Sequence, residues 1–192
     1  MGEDVSVRAE GTETFISVDV EAAGPHPTDF ALLSIGACLV DDPETAFYVE
    51  LQPVTTAARA EALAVSGLSM ERLAAEGVPP AEAMARFAEW IERVTPAGGI
   101  PVLVAFNAPF DWMFVDTYFH RFVGRNPFGH SALDVKAYYM GMTGGDWAST
   151  SMRVLSPLYL QGRPLSHNAL GDARDQAELF RRMREAGRRA AD

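Results

Sequence analysis

Cysteine, lysine and long apolar runs are all scarce in this sequence. The one cysteine, Cys38, excludes an intramolecular disulfide, and its place in the apolar run from Leu32 to Val40 predicts a buried core thiol. No segment approaches the roughly 18 uninterrupted apolar residues that a membrane span needs. The first 14 residues carry five charged side chains and no apolar run, unlike a secretory signal. We therefore expect a soluble, cytoplasmic protein that has no membrane partner.

Basic residues are also few. The formal net charge is −10, the pI is near 4.8, and Lys136 is the only lysine. This balance argues against a protein that coats long nucleic acids, because that affinity comes mainly from Lys and Arg. Carboxylates also build cation sites, which offers another reason for the acidity. Five arginines lie between Arg181 and Arg189, either as a phosphate-contacting patch or as the solvated end of a helix.

The first half of the chain has the alternation of β-structure. With 192 residues and 48% hydrophobic content, it is predicted to form one domain over residues 14–189, after a flexible N-terminal arm over residues 1–13. Apolar and polar residues alternate from Phe15 to Glu21, which is typical of a strand. Leu32 to Val40 and Ala46 to Leu51 are two more β-rich runs, and the three together predict an antiparallel meander.

Helical periodicity dominates the second half. It predicts helices from Met84 to Val94, from Phe110 to Phe122 and from Asn168 to Arg189. The apolar run from Pro101 to Phe106 predicts a strand between the first two helices. Residues 141–166 are rich in Gly, Ser, Thr and Pro and give no clear pattern. The predicted fold class is α/β, with a mixed central sheet (three-strand antiparallel meander plus further strands) flanked by helices.

Two carboxylates end the first predicted strand on one face. Asp19 and Glu21 are two residues apart, so their side chains project from the same face, about 7 Å apart along the backbone. That geometry suits bridging ligation of hard cations. A pair of acids at a solvent-facing strand end is the simpler explanation, so the pair becomes significant only with partners from elsewhere in the chain.

Candidate partners stand at the starts of two predicted helices. Asp111 lies in the first turn of one, where a carboxylate also complements the helix dipole. His167 and Asp172 stand at the start of the last helix, for which Ser166 is a candidate N-cap. Each has an ordinary structural explanation by itself. Together they predict a site at the edge of an α/β sheet, where ligands commonly bind.

This set of side chains suits the hydrolysis of a phosphodiester. The reaction needs an activated water, stabilisation of the negative charge that builds on phosphorus, and support for the departing oxygen. Two cations about 3.5 to 4 Å apart meet all three needs. The four carboxylates are hard oxygen ligands for such a pair. His167 suits a general base, because imidazoles ordinarily titrate near neutral pH.

Three segments carry a resemblance to a known family. Val18–Glu21, Asn107–Phe114 and His167–Asp172 resemble, in the same order, the three motifs of the DEDDh, or DnaQ-like, exonucleases. The resemblance covers roughly residues 14–185. Within the family, the segment from Asp19 to Gly24 is most similar to that of ribonuclease T.

The resemblance implies a ribonuclease H-like fold and two Mg²⁺ or Mn²⁺ ions per site. It implies that nucleoside 5′-monophosphates are released from the 3′ ends of short or single-stranded RNA or DNA. Dimers occur in the family, so a homodimer is a further expectation. The implied metal ligands are Asp19, Glu21, Asp111 and Asp172, and His167 is the implied general base. The implied contacts to the terminal nucleotide are Ala22, Gly24, Asn107, Phe110 and Phe114.

Three positions depart from the family pattern. Ala22 stands where Thr or Ser is usual, Pro25 where a hydrophobic or aromatic wedge is usual, and Phe106 where a His often precedes the Asn. None of them is an implied metal ligand. The departures therefore concern how the terminal nucleotide is held, not how its phosphodiester is hydrolysed.

Two other functions remain open at this point. One is a proofreading-type DNA exonuclease subunit. The absence of a long C-terminal tether after Arg189 argues against this alternative. The other is a non-catalytic nucleic-acid-binding module on the same fold, which would not need the histidine. The motifs do not distinguish RNA from DNA, because that choice depends on contacts to the 2′-OH.

Overall fold

A five-stranded mixed sheet forms the centre of the fold. The computed structural model describes residues 11–163 and 166–191. The strands are β1 (Glu13–Ala22), β2 (Leu32–Leu39), β3 (Ala46–Glu50), β4 (Ile100–Ala105) and β5 (Ala132–Asp134). Their order in the sheet is β3-β2-β1-β4-β5. The first three strands pair antiparallel, whereas β4 pairs with β1, and β5 with β4, in parallel. The predicted meander within a mixed sheet is confirmed.

Helices connect the strands and cover the sheet. The helices of the described residues are α1 (Ala60–Ser66), α2 (Met70–Glu76), α3 (Pro80–Val94), α4 (Ala108–Phe122), α5 (Val135–Thr143), α6 (Met152–Tyr159) and α7 (Ala169–Ala191), with a 3₁₀ turn at Trp147–Thr150. None of these helices combines the length and the apolar character that crossing a bilayer requires.

Both faces of the sheet are buried. On one face, Ile16, Val18 and Val20 of β1 join a core that includes Phe87 of α3 and Phe119 of α4. The opposite face packs against α7, whose Phe180 and Met183 join a second core. The polar face of β1 is therefore covered by α7. Asp19 and Glu21 are not simply two acids at a solvent-facing strand end.

The thiol of Cys38 lies in the second core, as the sequence predicts. It is fully buried and donates to the carbonyl oxygen of Ala173 at 3.6 Å. Burial raises the pKa of this thiol to about 12. Because a thiol at such a pKa stays protonated, Cys38 packs like a small hydrophobic side chain.

Several local predictions need correction or extension. The N-cap of α7 is Asn168, whose Oδ1 accepts from the backbone N–H of Gly171 at 3.1 Å, so the cap predicted at Ser166 is wrong. β1 begins at Glu13, and the rest of the predicted N-terminal arm lies mostly outside the described residues. The sequence pattern missed α1, α2, β5, α5 and α6. Each of these elements has nine residues or fewer, and α6 also contains Pro157.

Candidate active site

The strand β1 places two carboxylates on the side of the sheet that α7 covers. Val18 and Val20 are buried in the opposite core, so the alternation of the strand turns Asp19 and Glu21 toward α7. Asp19 lies opposite Gly36 of β2, and the register shifts after Glu21. The two acids thus stand near the end of β1, where regular pairing stops.

Gly36 allows the start of α7 to lie directly on the sheet. A Cβ at this position would lie 2.2 Å from the backbone of Ala169 and Leu170, so only glycine permits the approach. Asp172 lies in the first turn of α7 and reaches Asp19 and Glu21. One carboxylate oxygen from each of the three residues lies within 4.8 Å of the others. The structure therefore brings together three of the four predicted metal ligands.

Asp111 sits beside this group and is held by β1. Its side chain is 3% exposed, and Oδ1 accepts from the backbone N–H of Val20 at 3.0 Å. The start of α4 is fixed from a second side, because Asp134 Oδ2 accepts from the backbone N–H of Ala108 at 2.7 Å. Asn107, just before α4, is exposed and has a left-handed backbone with φ of 69°. Asp111 is not a member of the 4.8 Å group.

Asp172 also holds the segment that carries His167. Its Oδ1 accepts from the backbone N–H and the hydroxyl of Ser166, at 2.7 and 2.9 Å. Its Oδ2 accepts from the backbone N–H of His167 at 3.0 Å. His167 has φ of 55° and an exposed side chain, and its imidazole is not in the 4.8 Å group. The backbone of His167 is therefore held by Asp172, while its imidazole remains accessible to solvent.

Gln176 is a site residue that the sequence analysis missed. It is 2% exposed, its Nε2 donates to Asp19 Oδ1 at 2.5 Å, and its Oε1 accepts from the backbone N–H of Phe106 at 2.9 Å. The amide therefore orients Asp19 and ties it to the end of β4. A signal was present, since a residue four positions after Asp172 shares its face of α7.

Burial and crowding raise the pKa of three carboxylates at this site. Burial, followed by the charges of Asp111, Glu21 and Asp172, raises the pKa of Asp19 well above its ordinary value. Burial, followed by the charge of Asp172, raises the pKa of Glu21 to about 7. Burial also raises the pKa of Asp111. Divalent cations would relieve the repulsion, so these donors fit the hard cations that carboxylates bind.

The metal-free protein should lose stability as pH rises from about 5 to about 7. Folding raises the pKa of Glu21 from 4.5 to about 7, so the folded state binds more protons than the unfolded state in this range. The free energy of unfolding therefore falls with increasing pH. Thermal melts in EDTA across this range test the expectation, and Glu21→Gln should flatten the dependence. A melting temperature that rises with pH in the wild type would contradict it.

A cavity of about 500 Å³ opens beside Glu21. Most of its lining is apolar and comes from the end of β1, from α1 and from α4. The lining includes Ala22, Gly24, Arg59, Val65 and Phe110. At Gly24 a Cβ would lie 2.4 Å from the Phe30 ring, so the glycine permits that close packing. Phe114 is fully buried, and its ring centroid lies 5.4 Å from that of Phe110. Phe114 was predicted to contact the nucleotide, but it is buried and packs against the inner side of Phe110 instead of lying on the surface.

The arginines near the end of α7 are mostly paired. Arg181 and Arg189 pair with Glu185, and Arg182 pairs with Glu178. They line a shallow depression of about 770 Å³ that contains none of the three grouped carboxylates. At about 1.5 Å per residue, Arg182 lies roughly 15 Å along the helix from Asp172. These pairs favour the solvated helix end over the phosphate-contacting patch.

Comparison with known proteins identifies the family. The sequence matches the RNase T exonuclease family over residues 16–180, which is most of the chain. The chain belongs to this family of exonucleases. The DEDDh-type resemblance predicted from the motifs is therefore confirmed. The family indicates a nuclease and not the non-catalytic binding module.

Individual relatives agree with this assignment. A 3′-5′ DNA exonuclease, Cap18 of Escherichia coli, is 43% identical over 169 residues, which cover 88% of this chain and 90% of that protein. The nuclease domain of 3′hExo, a DEDDh family member bound to rAMP, superposes with a TM-score of 0.70 at 11% identity, covering 94% of this chain and 96% of that one.

A longer exonuclease has the same fold in part of its chain. E. coli exonuclease I in complex with a dT13 oligonucleotide superposes with a TM-score of 0.71 at 18% identity. The match covers 94% of this chain but 43% of that one, so this chain spans less than half of exonuclease I. These two structural likenesses confirm the predicted ribonuclease H-like α/β fold.

Proposed function

We propose that this chain is a divalent-metal-dependent exonuclease that removes nucleoside 5′-monophosphates from the 3′ ends of single-stranded or short DNA. The observation that supports it best is the group of Asp19, Glu21 and Asp172, with their oxygens within 4.8 Å, beside a cavity of about 500 Å³. The 43% identity to a 3′-5′ DNA exonuclease supports the direction and the choice of DNA.

The proposed metal ligands are Asp19, Glu21, Asp111 and Asp172, and the cofactor is a pair of Mg²⁺ or Mn²⁺ ions. The fit rests on donor chemistry, because crowded carboxylates with raised pKa values are hard oxygen donors that need positive charge nearby. When bound, two such ions stabilise the negative charge on phosphorus and on the departing oxygen. Gln176 keeps Asp19 oriented for this role.

The other proposed site residues hold the terminal nucleotide or accept the proton of the attacking water. The cavity between α1 and Phe110 accepts the terminal nucleoside, with its base against apolar side chains and Phe110 supported from behind by Phe114. Asn107, exposed just before α4, is the proposed contact to the scissile phosphate. His167 takes the proton of the attacking water at an imidazole nitrogen and passes it to solvent, since its side chain is exposed.

A block at the 3′ end tests the direction. An oligonucleotide with a 3′-phosphate should resist digestion by at least about tenfold, because the cavity accepts the terminal nucleoside and further negative charge would lie near Glu21 and Asp19. A 5′-phosphate should have no effect. Gel ladders from internally labelled DNA and RNA measure both effects and the sugar preference. Equal digestion of the 3′-phosphorylated and the 5′-phosphorylated oligonucleotide would indicate an endonuclease and would contradict the proposal.

A further inference from the structure

We infer that Phe106, Lys136 and Trp147 form a second contact for single-stranded nucleic acid, here named the upstream platform. It accepts a nucleotide on the 5′ side of the scissile bond, stacks its base on Trp147 and contacts its phosphate through Lys136. The inference rests on the proposed function, since it extends the path of the same substrate strand.

The three side chains form one cluster. Lys136 Nζ lies 4.2 Å from the centroid of the Trp147 ring and 5.8 Å from that of the Phe106 ring. Trp147 is 56% exposed, which is unusual for so large an apolar side chain. One face of its ring meets the cation while much of the remaining surface meets solvent. That surface is suited to stacking against a base.

The turn that presents Trp147 is held by its own hydrogen bonds. Asp146 Oδ1 accepts from the backbone N–H of Ser149 at 2.9 Å, and the Ser149 hydroxyl donates to the Asp146 carbonyl at 2.7 Å. The Thr150 hydroxyl donates to the Trp147 carbonyl at 2.8 Å, and Thr150 is fully buried. The exposed indole is therefore carried by an ordered turn, which lowers the entropy lost when a base stacks on it.

The upstream platform is connected to the carboxylates through the backbone of Phe106 and the side chain of Gln176. The cavity is lined by the end of β1, by α1 and by Phe110. β4 lies next to β1 in the sheet, and Phe106 directly follows β4. The backbone N–H of Phe106 donates to the Gln176 side-chain amide that also holds Asp19. Lys136 is in the first turn of α5, two residues after Asp134 at the end of β5. In the proposed path, a strand whose 3′ nucleoside fills the cavity crosses the carboxylates and reaches the upstream platform.

The charge of Lys136 suits this role. It is the only lysine of a chain with net charge −10, and within the described residues no carboxylate oxygen lies within 4.0 Å of its Nζ. Several arginines, by contrast, have carboxylate partners, such as Arg163 with Asp175 and Arg125 with Glu92. A free cation beside an exposed aromatic ring is the combination that single-strand-binding proteins use for phosphate and base.

Chain length of the substrate provides the test. The probes are the p-nitrophenyl ester of thymidine 5′-monophosphate, which has no upstream nucleotide, and oligothymidylates of increasing length. Trp147→Ala should raise KM for the oligothymidylates by about 5- to 100-fold, the range that base stacking supplies, and leave the ester unchanged. Trp147→Phe should restore most of the loss. Lys136→Gln should raise KM for the same oligonucleotides and weaken its salt dependence, whereas Lys136→Arg should retain both.

Two control variants remove a cation and an exposed apolar side chain that lie outside the upstream platform. Arg125→Gln removes an exposed cation near the other end of β4, and Leu158→Ala removes a 62% exposed apolar side chain. Neither should change KM. The inference is overturned if Trp147→Ala leaves KM for long oligothymidylates unchanged, or lowers turnover of the ester as strongly as that of the oligonucleotides.

A binding measurement separates this inference from the proposed function. Fluorescence anisotropy of a labelled oligothymidylate in EDTA reports affinity without turnover, and Trp147→Ala should weaken that affinity by a similar factor. If the wild type hydrolyses neither the ester nor any oligonucleotide, the proposed function fails. The anisotropy then still decides the upstream platform, because an unchanged dissociation constant in Trp147→Ala overturns it.

Discussion

Asp19→Asn should lower nuclease turnover by about 10²- to 10³-fold, the order expected when a preorganised electrostatic group is lost. The substitution removes one of three carboxylates whose oxygens lie within 4.8 Å. It preserves size and leaves an Oδ1 to accept from Gln176, so the fold should persist. In EDTA the variant should be at least as stable as the wild type, because burial and, after it, the neighbouring charges disfavour the ionised Asp19.

Turnover of 5′-labelled DNA with Mg²⁺ or Mn²⁺, beside thermal melts with and without metal, measures both effects. The rise in melting temperature on adding metal should be smaller in Asp19→Asn, since one ligand is missing. Asp29→Asn, which alters an exposed carboxylate after β1, is the control and should change neither quantity. Near-normal turnover in Asp19→Asn would remove it from the ligand set. Wild-type activity that persists in excess EDTA would sink the two-metal mechanism.

His167→Asn should lower kcat by the ~10²- to 10⁴-fold that general base catalysis supplies, with metal affinity unchanged. The imidazole lies on an exposed segment and is outside the group of carboxylate oxygens. Asparagine is the better test than alanine, because the backbone at this position has φ of 55°, which Asn tolerates. A loss of activity then reports the missing imidazole and not a strained loop.

The dependence of kcat on pH separates a base from a packing residue. Wild-type kcat should rise with pH as the general base loses its proton, and this rise should vanish or shift in His167→Asn. Calorimetry of Mn²⁺ binding provides the second readout. His120→Asn, which alters an exposed histidine beside Asp116, should leave kcat and its pH profile unchanged. An unchanged rise in His167→Asn, or a collapse of metal affinity, would show that His167 has another role.

The position of each candidate ligand could be predicted because local pattern determines it. Alternation along β1 puts Asp19 and Glu21 on one face, and the motif after β4 puts Asp111 in the first turn of a helix. Ser166 was the wrong cap because two polar residues near the start of α7 both suit an N-cap. Only the hydrogen bond from Gly171 to Asn168 distinguishes them.

The sequence by itself determined the family, the mixed sheet and the identity of the acidic residues, because these depend on motifs and on periodicities of two and 3.6 residues. Only the tertiary structure decided which groups meet. Gly36 lets α7 lie on the sheet, and this places Gln176 against Asp19, 157 positions away in sequence. The meeting of Lys136 with Trp147 likewise depends on the 3₁₀ turn folding back over α5. Such contacts are products of packing between elements, so no local pattern of residues records them.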